Sequence, residues 1–249
     1  REGHIGYQAP GEIPIRKSGN DGRLPSAGWL KHNDWTGATV PFDALPKVFD
    51  PDEGFIVTAN QAVIGQDYPY HLTDDWDRGY RSQRIRELIE SAGERLSVED
   101  MARMQLDEQS ALAEILVPWL LEVRLPEGYR SDGQEVLRRW DGRSAVDSAG
   151  AAYLHVVWRN LLELTFHDEM RESLWPDGGD RWWQVVEQLL QDPDNAWWDD
   201  VETDVVEDRD DILRAAMLEA SDEIVVELAR DPKRWEWGRL HEMELENAT

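Results

Sequence analysis

The feature that most constrains this fold is a change of pattern near residue 72. Residues 1–72 are rich in Gly and Pro and contain three short β-prone runs, at 4–8, 12–16 and 55–58. From residue 73 onward, apolar residues recur at helical spacing. The sequence therefore predicts an α+β protein, with a β-rich segment at 1–72 followed by a mostly helical segment at 73–249.

Local signals place the helices and one turn. Thr73, followed by two aspartates, is the expected N-cap of a first helix that reaches Gly93. Ser97, with Asp100 three residues later, approximates a capping box and begins a second helix. The Gly-Asn-Asp-Gly sequence at 19–22 predicts a tight surface turn. Five further helices are predicted, at 108–122, 134–140, 149–166, 181–191 and 210–230.

The charge of the chain restricts its partners. The formal net charge is −26, from 52 acidic and 26 basic residues, which argues against binding a nucleic acid or an anionic membrane. Most of the positive charge is arginine. That combination is typical of a high-salt proteome or of a high-GC genome, and an ordinary acidic surface is the third interpretation. The 41% apolar content is sufficient for a real core.

Several classes of site and segment are excluded. The chain has no cysteine, so disulfides, thiolate metal sites and a cysteine nucleophile are ruled out. No apolar run approaches the roughly 20 residues of a spanning helix, and the longest, 115–123, contains Pro118 and Glu122. Membrane insertion is therefore not expected. Residues 1–16 show no signal peptide.

Three other groups of residues are open to two interpretations. The six histidines lack the H-E-x-x-H spacing of a helical zinc site, so they are more typical of core or surface positions. The acidic run at 199–211 lacks the glycine and alternation of a calcium loop and fits a solvated face better. The 13 tryptophans fit either an aromatic acyl pocket or a packed core.

The first sixty residues carry a more specific pattern. It consists of Gly3, Gly6, Pro14, Pro25, Gly28, Trp29, Trp35, Gly37, Pro46, Pro51, Gly54 and Asn60. The order and spacing of these residues resemble the early part of the large subunit of the penicillin acylase family, whose members are N-terminal nucleophile hydrolases. Two shorter stretches, Trp140-Asp141-Gly142 and 234–241, resemble later parts of the same subunit.

The resemblance implies a fold and a reaction. The fold would be part of an αββα sandwich, and the reaction would be hydrolysis of a linear amide in a small N-acyl compound, such as a penicillin or an acyl-homoserine lactone. In this family the nucleophile is a serine at the start of the large subunit, whereas this chain opens with Arg1. The sequence is therefore expected to be an internal, separately inactive piece of a precursor that also supplies the small (alpha) subunit.

Two site residues follow from the resemblance. Asn60 matches the asparagine that donates to the oxyanion hole, and an amide held rigidly at that place is physically suited to the task. Arg81 matches an arginine that helps to hold this asparagine. The alternative for Arg81 is a surface arginine paired with Asp77 or Glu87, and Gln61 stands where relatives often carry a second asparagine.

The resemblance also implies a metal and a location. Some members bind calcium, and one ligand would be the backbone carbonyl of Gly22; the position of another ligand has no carboxylate here, although Asp74 and Asp75 lie nearby. Relatives are usually periplasmic or extracellular. The competing hypothesis is a catalytically inactive acidic scaffold or binding module on the same fold.

Overall fold

The computed structural model describes residues 3–243 with the exceptions of Ser18, Gly19, Asp21 and Glu94. The turn predicted at 19–22 therefore lies largely outside the described residues. The chain forms two compact units, residues 1–104 and 105–249. The change from strands to helices comes earlier than the boundary between the units, so the first helix and all but the last residue of the second belong to the β-rich unit.

The first unit contains two antiparallel sheets of two strands each. Strand β1 (Gly6–Gln8) pairs with β4 (Lys47–Phe49). Strand β2 (Pro14–Arg16) pairs with β3 (Trp35–Thr39), with an irregularity in the register. A small core lies beside them, formed by three buried side chains, Ala9, Val40 and Leu45, and by partly buried neighbours that include Tyr7 and Ile15.

The prediction of strands was partly wrong. The first two β-prone runs contain β1 and β2, but the run at 55–58 is not a strand in the described structure. The carbonyl of Val57 accepts a hydrogen bond from the side chain of Gln61 (2.8 Å). Strands β3 and β4 were not predicted. Every residue in both is exposed, so neither strand has the buried face that an alternation of apolar and polar residues marks.

The two helices of the first unit show one correction and one confirmation. Helix α1 (Tyr80–Ser91) begins seven residues after the predicted N-cap. Thr73 instead accepts a hydrogen bond from the backbone nitrogen of Asp75 (3.0 Å), which closes a local turn. Helix α2 (Val98–Gln105) begins as predicted. Ser97 and Asp100 form the reciprocal bonds of a capping box, at 2.8 and 3.1 Å.

The second unit is helical and is built around α5. Helix α5 (Ala149–Phe166) has the predicted bounds, and its N-cap, Ser148, accepts from the backbone nitrogen of Ala151 (3.1 Å). It is buried on most of its surface and packs chiefly on α7 (Arg209–Glu227). The other helices of this unit are α3 (Ala111–Glu122), α4 (Asp132–Arg139), α6 (Asp180–Leu189) and the short α8 (Trp237–Leu240).

Tryptophans contribute strongly to this helical core. Trp198 and Trp235 are almost completely buried, and their indole nitrogens donate to the carbonyls of Asp192 (2.9 Å) and Ala229 (2.7 Å). Packing therefore explains these two rings, with the polar group of each satisfied. No helix in the described part of the chain combines the length and the hydropathy needed to cross a membrane.

Candidate active site

Asn60 lies on a backbone turn that few residues adopt. Its φ is +66°, in the left-handed region, where asparagine is one of the better tolerated residues. The carbonyl of Asn60 accepts a hydrogen bond from the backbone nitrogen of Asp77 (2.9 Å). A residue keeps such a backbone conformation where the surrounding contacts hold it. Two sets of contacts hold Asn60.

The first set is made by the next residue, Gln61. Its side-chain oxygen accepts from the backbone nitrogen of Ala59 (2.6 Å), and its side-chain nitrogen donates to the carbonyl of Val57 (2.8 Å). Gln61 also forms an isolated parallel bridge with Asp77. Ala59 is buried, so its backbone nitrogen needs a partner. Gln61 thus satisfies the backbone on the approach to Asn60 and fixes the turn.

The second set comes from Arg81, in the first turn of α1. Its Nη2 donates to Oδ1 of Asn60 (2.9 Å) and to the carbonyl of Ala59 (3.1 Å). A guanidinium has only donors, so the amide atom that faces it must be the oxygen. The side-chain NH₂ group of Asn60 is consequently directed away from Arg81. The site therefore holds an amide donor whose orientation is set by a cation.

Asp77 fixes this arginine. Its Oδ2 accepts from Nε (3.0 Å) and Nη2 (2.7 Å) of Arg81, and its Oδ1 accepts from the backbone nitrogen of Gly79 (2.9 Å). The side chain of Asp77 is 9% exposed, whereas that of Arg81 is 60% exposed. Gly79 has a φ of +96° and caps α1, a conformation that is favourable only for glycine. Helix α1 therefore begins at Tyr80, and Arg81 lies in its first turn, within hydrogen-bond distance of Asn60.

A further contact ties α1 to the segment before Asn60. The guanidinium of Arg86 lies over the ring of Phe55, 5.1 Å from its centroid, within the range of a cation–π interaction. Arg81 and Arg86 thus contact the 55–60 segment from two successive turns of the same helix.

The predicted residues Asn60 and Arg81 are therefore in direct contact, and their catalytic roles remain predictions. The surface alternative for Arg81 proves to be part of the same arrangement, because Arg81 pairs with Asp77 and with Asn60 at once. Sequence reasoning missed the structural importance of Asp77 and Gln61. The signal for Asp77 was its place four residues before Arg81 and two residues before the glycine that ends the loop.

Two of the residues implicated in calcium binding lie beside arginines. Gly22 has a φ of +82° and lies beside the guanidinium of Arg16, whose Cζ would be 3.5 Å from an added Cβ. Asp74 accepts from Nε of Arg23 (2.7 Å), and this hydrogen bond lowers the pKa of the carboxyl. Within the part of the chain that the structure describes, no cluster of three or more histidine, aspartate or glutamate side chains could hold a metal ion. Calcium therefore stays a prediction.

Carboxylates of the acidic run at 199–211 accept hydrogen bonds from backbone nitrogens of the same run. Asp208 caps α7 and accepts from the backbone nitrogens of Asp210 (2.9 Å) and Asp211 (3.0 Å). Asp199 accepts from the backbone nitrogen of Glu207 (3.2 Å). Burial, and after it the neighbouring carboxylates beginning with that of Asp168, raise the pKa of Glu169 to about 7.

Two histidines enclose a tryptophan in the second unit. The ring of Trp237 stacks on His155, with centroids 4.2 Å apart, and on His241, with centroids 4.9 Å apart. Burial, with a smaller contribution from the charge of His241, lowers the pKa of His155 to about 4. His155 is therefore neutral near pH 7, and the Trp237 to His241 stretch serves here as packing between α8 and α5.

Comparison with known proteins gives a consistent result. The penicillin amidase family model matches residues 1–249. The acyl-homoserine lactone acylase QuiP of Pseudomonas aeruginosa is 32% identical over 268 residues, which cover 98% of this chain and 31% of that protein. Penicillin acylase 2 proenzyme of Pseudomonas sp. (strain SE83) is 31% identical over 202 residues, which cover 76% of this chain and 26% of that protein.

A solved structure shows the same fold. Thermostable penicillin G acylase from Alcaligenes faecalis superposes with a TM-score of 0.66 at 18% identity, covering 93% of this chain and 46% of that one. This confirms the α+β class and the N-terminal nucleophile hydrolase fold that the resemblance implied. The chain spans about a third of the length of the first curated relatives that it matches.

Proposed function

The chain belongs to the penicillin amidase family, and from this premise we propose that the protein hydrolyses the linear amide bond of a small N-acyl compound. The observation that carries the proposal is the oriented amide of Asn60, held by Arg81 at 2.9 Å. Amide hydrolysis passes through a tetrahedral intermediate with a negatively charged oxygen, and fixed donors aimed at that oxygen lower the barrier. Relatives named for acyl-homoserine lactones and for penicillins support this substrate class.

The proposed mechanism needs a nucleophile that is not part of the Asn60 arrangement. A serine hydroxyl, supplied from outside these 249 residues, attacks the carbonyl carbon, and the free α-amine of that serine takes the proton. The carbonyl oxygen becomes the oxyanion and accepts from the side-chain NH₂ of Asn60. The α-ammonium group then passes this proton to the amide nitrogen, the C–N bond breaks and the product amine leaves. Water attacks the acyl-serine ester and releases the acid, which restores the serine hydroxyl. A small subunit from the same precursor and an extracytoplasmic location belong to the same proposal.

The contribution expected of Asn60 follows from its geometry. Removing one oxyanion donor lowers kcat by roughly 10²- to 10³-fold, or about 3 to 4 kcal/mol of barrier. Asn60→Asp is the sharpest substitution, because aspartate also tolerates a positive φ and still offers an oxygen to Arg81. The change replaces the NH₂ donor by a second oxygen, which repels the developing oxyanion.

The test uses the full-length gene product and a panel of chromogenic amides with phenylacetyl and long-chain acyl groups, together with acyl-homoserine lactones. We expect turnover by the unchanged protein, a loss of roughly 10²-fold or more in kcat for Asn60→Asp, and normal turnover for Gln66→Glu. The control makes the same amide-to-carboxylate change on an exposed side chain of the first unit. A folded product that releases no amine from any substrate would refute hydrolysis and favour the inactive scaffold.

A further inference from the structure

We propose that Asp77 is the positioning residue of this site: it fixes Arg81 and, through Arg81, the direction of the Asn60 amide. This inference rests on the proposed function for its catalytic consequence. Its structural part concerns Asp77, Arg81 and Asn60 alone and is testable without turnover.

The first step of the argument concerns the freedom of Arg81. An arginine side chain loses conformational entropy when it is held in one geometry, and 60% of this one is exposed. Asp77 lies four residues before Arg81. An ion pair at this spacing would stabilise the protein little if both side chains were fully exposed. Here the carboxylate is only 9% exposed and is itself held by the backbone nitrogen of Gly79 (2.9 Å). The position of the Asp77 carboxylate is therefore set by contacts other than its ion pair with Arg81.

The second step concerns a single nitrogen atom. Nη2 of Arg81 faces three acceptors: Oδ2 of Asp77 at 2.7 Å, Oδ1 of Asn60 at 2.9 Å and the carbonyl of Ala59 at 3.1 Å. It carries two hydrogens, so the three bonds share them. The shortest of the three is the bond to Asp77. Without the Asp77 carboxylate, the guanidinium loses the contact that places Nη2 within reach of Asn60.

The third step concerns the backbone. The nitrogen of Asp77 donates to the carbonyl of Asn60 (2.9 Å), beside the bridge between Asp77 and Gln61. One residue thus holds Asn60 in two ways, through its main chain and through its side chain. A side-chain substitution at Asp77 retains the backbone bond and releases only the side-chain path. The two effects are therefore separable by experiment.

The decisive variant is Asp77→Asn in the full-length protein. It is isosteric and keeps an oxygen for Gly79 or Arg81, but it lacks the charge and the second oxygen acceptor. We expect kcat to fall roughly tenfold to a hundredfold, as for a small misplacement of a catalytic group, while KM changes by less than about twofold. Asp77→Glu, which restores the charge at a different reach, is expected to recover part of the loss. Asp52→Asn, the same change on an exposed aspartate of the first unit, is the matched control.

A double-variant cycle separates positioning from general stability. If Asp77 acts through Asn60, then Asp77→Asn lowers kcat little further once Asn60→Asp is present. Full additivity of the two losses would overturn the proposal, and so would wild-type kcat in Asp77→Asn. If Asp77→Asn does not accumulate as folded protein, Asp77→Glu takes its place in the cycle.

A crystal structure of the Asp77→Asn protein supplies the readout that does not depend on turnover. We expect the guanidinium of Arg81 to leave Asn60 Oδ1, and the amide of Asn60 to adopt more than one orientation. An unchanged bond between Arg81 and Asn60 would overturn the proposal even if the enzyme were inactive. Absence of turnover in the unchanged protein, with Arg81 displaced in the variant, would refute the proposed function and keep the positioning role.

Discussion

Substituting alanine for Gly133 tests how closely α4 approaches α5. Gly133 is buried in the first turn of α4. A Cβ there would lie 2.2 Å from Cζ of Tyr153 and 2.3 and 2.5 Å from its two Cε atoms, whereas ordinary contact begins at 3.4 Å. The overlap falls on a rigid ring with no measurable exposure. The ring, or the whole of α4, must therefore move by about 1.2 Å.

The expected magnitude combines three effects. Overpacking of a core costs about 1 to 3 kcal/mol. Moving the ring also strains the buried bonds of the Tyr153 hydroxyl to the carbonyl of Met217 (3.0 Å) and to Ser221 (3.2 Å), and a buried group left unpaired costs about 1 to 3 kcal/mol. The helix propensity of alanine returns up to about 1 kcal/mol. We expect Gly133→Ala to lower the free energy of unfolding of the second unit by about 2 to 4 kcal/mol.

The assay is urea unfolding followed by tryptophan fluorescence, with Gly65→Ala as the control. Gly65 has no atom within 4 Å of an added Cβ and no positive φ, so its substitution should be nearly neutral. Tyr153→Leu, which removes the ring, should reduce the additional effect of Gly133→Ala in a double-variant cycle. Equal unfolding curves for Gly133→Ala and Gly65→Ala would refute the close packing inferred here.

Two further predictions concern the glutamine contacts and the effect of pH. Gln61→Ala should destabilise the first unit by about 1 to 3 kcal/mol, because the buried nitrogen of Ala59 and the carbonyl of Val57 lose their partners. Hydrogen exchange at the backbone nitrogen of Ala59 measures this loss, and unchanged protection in the variant would contradict the prediction. Burial lowers the pKa of His155 to about 4, below its ordinary 6.5. As the pH falls, the unfolded chain therefore binds the proton before the folded chain does. The free energy of unfolding should decrease by about 3 kcal/mol as the pH falls from about 6.5 to about 4. His155→Phe keeps a ring against Trp237 and should flatten that part of the curve of unfolding free energy against pH; an identical pH dependence in both proteins would exclude His155 as its source.

Tertiary contacts decided several features that local sequence could not. Helix α1 begins at Tyr80, and not near Thr73, because Gly79 adopts a positive φ while its nitrogen is held by Asp77. The run at 55–58 has strong β propensity, but a strand exists only where a partner pairs with it. The positioning contact between Arg81 and Asn60 joins residues 21 positions apart, so no spacing rule reveals it.

The sequence by itself determined the α+β class, the bounds of α5 and the capping box at Ser97, because these depend on periodicity and on bonds between residues three or four apart. Through its glycine, proline and tryptophan pattern it also indicated the family and the two residues Asn60 and Arg81. The tertiary structure alone decided which atom of Asn60 faces Arg81, and that Asp77 and Gln61 hold the turn between them. The physical reason is that the orientation of an amide depends on donors brought from distant positions, and only the folded chain brings them together.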